Sequence, residues 1–387
     1  MQAIPHGHCG FSGIDAMRVP FVDLSAQYAA HKDEFDAAVA GVIERNAFIG
    51  GEPVRNFEHT YSSRYGARHC VSCANGTDAI YIALRMLGIG PGDEVITTAH
   101  SWISTSETIS QVGATPVFVD VDDFYILDGK RLVSALTPRA RAIIVVHLFG
   151  QAADMTSLSA FCAEHGLFLI EDCAQAHFAE WQGRRVGTFG DVGTFSFYPG
   201  KNLGAWGDAG AIVTDDDALA EKCRMFANHG ALIKHQHQIE GINSRMDGIQ
   251  AALLTAKLAH IDDWTTARRR VAGRYDELLA GVGDLRLPGV RSGASHVYHL
   301  YVVNTSKRDE LKAFLGAHGI QTAVHYPTAL PLLPAYSRLG IGPSSVPTAA
   351  RNQDRILSLP MYPELDDEMI EYVAARIEEF FSTRSSL

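Results

Sequence analysis

The feature that most constrains the fold is a series of short apolar runs separated by segments with helical periodicity. "DEVITTAH", "TPVFVDVD", "RAIIVVHLFG" and "LFLIEDCAQ" read as strands, with helices "SWISTSETISQVG" and "DMTSLSAFCAEHG" among them. "HCVSCANGTDAIYIALRML" reads as strand, turn, helix. Strands that are apolar along their whole length are buried on both faces. That predicts an α/β chain with a mainly parallel sheet covered by helices. In such sheets ligands bind beyond the carboxyl ends of the strands. The residues just after each apolar run are therefore the ones to inspect.

The remaining segments suggest two units. "FDAAVAGVIERNAF" is helical, and the stretch from "NSRMDGIQ" to "ELLAGV" reads as one long helix. "SHVYHLYVVNT" reads as a strand, and the chain closes on an amphipathic helix near "DDEMIEYVAARIEEFF". We expect a flexible extension over residues 1–16, a large domain over 17–258 and a smaller α+β domain over 259–387. A net charge of −11 argues against nucleic acid and anionic membranes as partners, because both need basic patches. No apolar run reaches membrane-span length, and the N-terminus lacks a signal-peptide pattern, so the expected compartment is the cytoplasm. The six cysteines are irregularly spaced. Cys70 and Cys73 form a C-x-x-C without a second ligand pair, so they read as structural and no metal site is expected.

Three strand ends carry chemistry. Gly76 and Thr77 stand where a strand passes into a helix, where free N–H groups and a hydroxyl suit a phosphate; taken alone, an ordinary turn capped by Thr77 or Asp78 is the simpler reading. "LFLIEDC" ends on Glu171 and Asp172. Lys201 follows the strand that carries Ser196 and precedes a glycine-rich turn. Burial beside Phe197, Tyr198 and Trp206 would depress its pKa, as imine chemistry requires. A lysine that forms a Schiff base, a carboxylate for a pyridine nitrogen and a set of phosphate donors are the needs of a pyridoxal 5′-phosphate (PLP) enzyme.

In this combination the chain resembles the DegT/DnrJ/EryC1/StrS family of sugar aminotransferases, which have the type I PLP-transferase fold of aspartate aminotransferase. The resemblance runs from Met17 to the C-terminal helix. It rests on "ANGTDAI", "TTAHSWISTSETISQVGATPVFVDVD", "HLFGQAADM", "IEDCAQAH", "GTFSFYPGKNLGAWGDAGAIVT", "GINSRMDGIQAALL" and "LSLPMYPEL". It implies that Lys201 is the Schiff-base lysine, Asp172 the acid at the pyridine nitrogen and Gln175 the side chain near the cofactor's 3-hydroxyl. It also implies that Trp102 stacks on the ring and that Gly76, Thr77 and Ser196 bind the phosphate. By the same resemblance Asn243 reaches the phosphate from the neighbouring subunit of a homodimer, with Arg245 supporting that loop or the substrate. Two positions depart from the family pattern: Phe178 after "QAH", and Ala209 where glycine is favoured.

The resemblance further implies a ping-pong transfer of the amino group of L-glutamate to a nucleotide-linked keto sugar. The "HYP" segment at His325 and Tyr326 points to a dTDP- or UDP-linked 3-keto-6-deoxyhexose and a 3-amino product, although a turn before Pro327 accounts for the same residues. A 4-keto sugar nucleotide or an amino-cyclitol precursor is the alternative acceptor. A PLP-binding regulatory protein without turnover is the alternative from another class. A Rossmann-type nucleotide-binding protein is disfavoured by the lack of a G-x-G-x-x-G motif after the first strand.

Overall fold

The computed structural model describes residues 17–383, so the expected extension over 1–16 lies outside the described residues. Its centre is a seven-stranded sheet. The strands are β1 (His69–Cys73), β2 (Glu94–Thr98), β3 (Thr115–Val119), β4 (Ala140–Val146), β5 (Phe168–Asp172), β6 (Val192–Ser196) and β7 (Gly210–Thr214). They lie in the order β1-β7-β6-β5-β4-β2-β3. Only β7 runs against the others. Alternation along β4 shows why its sequence is apolar throughout. Ile143 and Val145 join one core while Ala142 and Ile144 join another, so both faces are buried.

Helices α1 (Leu24–Ala30), α2 (Lys32–Glu44), α3 (Gly51–Tyr65), α4 (Gly76–Met86), α5 (Ser104–Gln111), α6 (Met155–His165) and α7 (Asp217–Ala227) surround the sheet. The predicted long helix is two, α8 (Gly248–Leu258) and α9 (Ile261–Leu279). At the junction the N–H groups of Ala259 and His260 donate to carbonyls three residues back, so the α-helical ladder tightens and restarts. Residues 241–247 are not helical either. There the Ser244 hydroxyl donates to Asp78 and accepts from the Ala74 N–H, which ties this segment to the start of α4.

A second core gathers Val271, Tyr275 and Leu279 of α9 with β8 (Tyr301–Asn304), α10 (Arg308–Ala317), β9 (Ile356–Leu359) and α11 (Asp367–Ser382). Val19 joins this core and pairs with Ile320. The predicted strand "SHVYHLYVVNT" pairs with β9 only over Tyr301–Asn304. Ahead of it, Val297 and Leu300 donate their N–H groups to Gly150 and Phe149 in the loop after β4, and the Val297 carbonyl accepts from Asn202. Those bonds hold the segment against the large sheet instead. Among the described residues all five cysteines are free and buried, including Cys70 and Cys73, and no helix is long and apolar enough to cross a membrane.

Candidate active site

The carboxyl ends of β1, β2, β4, β5 and β6 surround a cavity of about 570 Å³. Asp172, Lys201, Gly76, Thr77, Ser196, Gln175, Trp102, His325 and Tyr326 all line it. Asn243 and Arg245 do not. Both are exposed, and Arg245 donates to Asn228 at 3.4 Å.

Asp172 sits at the last position of β5 and is 5% exposed. Its Oδ1 accepts from the Ala174 N–H at 3.1 Å and its Oδ2 from the Thr105 hydroxyl at 2.9 Å. Ser101 is hydrogen-bonded in turn to Thr105 at 3.0 Å. Burial raises the Asp172 pKa. The Ala174 N–H, the Thr105 hydroxyl and the Lys201 charge act against that rise. Lys201 follows β6 at the cavity wall, and desolvation pushes its amine down to about 8 against the pull of Asp172. Of the three aromatics expected to bury it, only Phe197 is in the core. Tyr198 is 59% and Trp206 43% exposed, so the protein interior around the lysine comes from other residues. His299 is one of them, a cavity residue not anticipated from the sequence. Its Nδ1 bonds to Asn202 Oδ1 at 3.2 Å, and because Asn202 Nδ2 donates to the Val297 carbonyl, that oxygen accepts from His299.

Opposite Lys201, α4 starts at Gly76. Its cap is Asn75, whose Oδ1 accepts from the Asp78 N–H at 2.8 Å. Neither Thr77 nor Asp78 is the cap, and the Thr77 hydroxyl is paired with Ser104 at 2.7 Å. A Cβ on Gly76 would stand 2.6 Å from the Ser196 Cβ, and one on Gly210 would stand 2.3 Å from the Asn75 carbonyl carbon. Glycine is therefore required here by close approach. The resulting cradle of helix N–H groups, the Thr77 hydroxyl and the Ser196 hydroxyl suits a phosphate monoester.

A third wall carries Gln175, Trp102, His325 and Tyr326. Gln175 accepts from the Phe149 N–H at 2.8 Å and donates to the Tyr326 hydroxyl at 3.0 Å. The Trp102 ring is 57% exposed at the rim, 5.6 Å from that of Tyr326. His325 stacks on Phe21 with centroids 5.6 Å apart and bonds to Ser358 at 2.9 Å; burial pushes its imidazole down to about 4. Burial lowers His177 similarly, and both its nitrogens are used, by Tyr61 and the Ser196 carbonyl. The two departures stay clear of the site. Neither Phe178 nor Ala209 lines the cavity; Phe178 packs on Tyr65, and Ala209 presents only its carbonyl to the Phe197 N–H.

A depressed lysine and a hydrogen-bonded carboxylate facing one cavity, with a phosphate cradle at its other end, on a seven-stranded sheet with one reversed strand, define a PLP-dependent aminotransferase. The sequence model of the DegT/DnrJ/EryC1/StrS aminotransferase family matches residues 29–378, and the chain belongs to that family. It is 46% identical over 368 residues to a pleiotropic regulatory protein of Geobacillus stearothermophilus, covering 94% of this chain and 99% of the relative. It is 44% identical to the dTDP-3-amino-3,4,6-trideoxy-alpha-D-glucose transaminase of Streptomyces venezuelae, over 92% of this chain and 94% of the relative. Among solved structures, S. venezuelae DesV in complex with a ketimine intermediate superposes with a TM-score of 0.92 at 43% identity. That match covers 94% of this chain and 98% of that one.

Proposed function

We propose that the chain transfers the amino group of L-glutamate to C3 of a nucleotide-linked 3-keto-6-deoxyhexose, carried on dTDP or UDP, as a cytoplasmic homodimer with shared sites. The observation that carries this reading is the 44% identity, over nearly the whole length, to a relative named as a dTDP-3-amino-sugar transaminase. Bound PLP supplies a ring that accepts electrons from the substrate carbon. Gly76, Thr77 and Ser196 would hold its phosphate, Asp172 would keep a negative charge at its ring nitrogen, and Gln175 and Trp102 would orient its ring. The Lys201 amine, near neutrality in its titration, takes a proton from the substrate carbon and returns one in the reverse half-reaction. His325 and Tyr326 contact the sugar. Asn243 and Arg245, exposed and outside the cavity of their own chain, serve the site of a second copy.

Incubating the purified enzyme with glutamate and either dTDP-3-keto- or dTDP-4-keto-6-deoxyglucose tests the acceptor. The 3-amino product is expected to dominate by mass spectrometry and NMR; preference for the 4-keto isomer overturns the C3 assignment. The regulatory name of the Geobacillus relative favours a second reading, a PLP-binding protein without turnover. Conversion of the bound cofactor to its amino form by glutamate alone separates the two, since only the transaminase converts it.

A further inference from the structure

A second cluster of ligand-type side chains lies outside the cavity. His31 caps the start of α2, Glu34 sits in the first turn of α2, and His260 stands at the junction of α8 and α9. The two imidazole rings pack tilted by 36° with centroids 4.0 Å apart, and His31 also packs against Phe35 and Trp264. His260 Nε2 lies 2.7 Å from Glu34 Oε2. One donor atom from each of the three residues lies within 4.8 Å of the others. The ring contacts of His31 are all aromatic, and neither of its ring nitrogens has a hydrogen-bond partner among the described residues.

We propose that His31, Glu34 and His260 bind a zinc ion that ties α2 to the α8–α9 junction. Two imidazoles and a carboxylate are a zinc donor set, with water filling the fourth position. Ligand atoms at zinc bond lengths stand about 3.4 Å apart in a tetrahedron, so small rotamer changes close the site. The ligands must be free bases. Both histidines are partly buried and Glu34 is exposed, so an ion enters from solvent. Lys257 is the opposing charge. Burial lowers its amine to about 8, and Glu364 is the carboxylate that pulls the other way.

The position gives the ion a structural role. Just before His260, Lys257 donates to Gln27 Oε1 and to the Gly204 carbonyl, at 2.9 and 2.8 Å. Gly204 belongs to the turn that follows Lys201, and Trp206 of the same turn packs edge-on against Phe35. An ion joining α2 to His260 therefore stiffens the support of the Lys201 turn. The other cluster of such side chains among the described residues, His147, Glu171 and Cys173, has no such capacity. Three backbone N–H groups and His147 already occupy Glu171, and His147 Nδ1 accepts from the Ala153 N–H.

The test uses the full-length PLP enzyme, stripped with chelator and titrated with zinc chloride by calorimetry, beside His31→Ala/His260→Ala. The wild type is expected to bind one more zinc equivalent than the double variant. A zinc-induced rise in its thermal midpoint should be absent from the variant. Comparing the two subtracts binding elsewhere, including at His6, His8 and Cys9. Where the double variant folds poorly, Glu34→Gln and the visible spectrum of the cobalt-substituted protein take its place; the wild-type cobalt bands should fade in that variant. Equal zinc stoichiometry in wild type and double variant, or cobalt bands unchanged in Glu34→Gln, overturns the site.

Discussion

Glu171 and Asp172 follow one another at the end of β5, both carboxylates and both buried, and their surroundings differ completely. Glu171 is closed off. It accepts from the N–H groups of Gly187, Phe189 and Gly190 and pairs with His147, so its oxygens are spent on holding a loop. Asp172 takes only the Ala174 N–H and the Thr105 hydroxyl and borders the cavity with Lys201. Successive side chains of a strand point to opposite faces, so one step along the chain exchanges a structural environment for a reactive one. A buried carboxylate is thus informative only through what occupies its oxygens.

Paired isosteric substitutions break this contrast or sharpen it. Asp172→Asn keeps shape and removes charge; kcat should fall by about 10²–10³-fold, the scale of losing one preorganised electrostatic group. Its thermal midpoint should stay level or rise, because a charge whose burial is costly has gone. Glu171→Gln should do the reverse. It weakens several charge-assisted hydrogen bonds, at about 1–3 kcal/mol for a buried group left poorly paired, and lowers the thermal midpoint. Its kcat per folded molecule should stay near wild type. Loss of turnover at unchanged stability in Glu171→Gln would erase the distinction.

A smaller effect is expected at the other end of the cavity. Gly76→Ala places a methyl 2.6 Å from the Ser196 Cβ, so α4 and the end of β6 must separate. Overpacking of this kind costs about 1–3 kcal/mol, and a phosphate cradle opened by a few tenths of an ångström should bind PLP roughly tenfold more weakly. Equilibrium dialysis of PLP against the apoprotein measures it. Unchanged affinity would mean that the phosphate is held elsewhere.

The same contrast marks what the sequence could reveal. The parallel strands were legible because burial on both faces leaves an apolar run with no polar alternation. Asp172 and Lys201 were legible because they end such runs. Thr105 was not: it lies inside a helix of serines and threonines, and only the fold brings it to Asp172. His299 was hidden because "SHVYHLYVVNT" reads as one strand, whereas its first half is bonded to the loop after β4. Helix α3 went unread: its buried stripe of Val54, Phe57, Tyr61 and Tyr65 is set in a polar sequence with Pro53 in its first turn. The cap at Asn75 was missed because Thr77 and Asp78 are equally good capping residues.

The smallest effect lies in titration, and it links the two sides of the cavity. The Lys201 amine titrates near 8 in the folded protein and near 10.5 when unfolded. Below about pH 8 both states are protonated, and folding carries the full cost of burying the charge. Between 8 and 10.5 the unfolded chain holds a proton that the folded one has released, so stability of the apoprotein should rise with pH across that window. PLP capture by the apoprotein needs the neutral amine, so its rate should climb about tenfold per pH unit below 8 and level off above. Asp172 raises the lysine's pKa, so Asp172→Asn should move that inflection to lower pH. Glu171→Gln should leave it in place, since Glu171 is not among the groups acting on Lys201. Stopped-flow absorbance of PLP uptake across this range reads both variants. An inflection that moves with Glu171 instead would assign the charge facing Lys201 to the wrong neighbour.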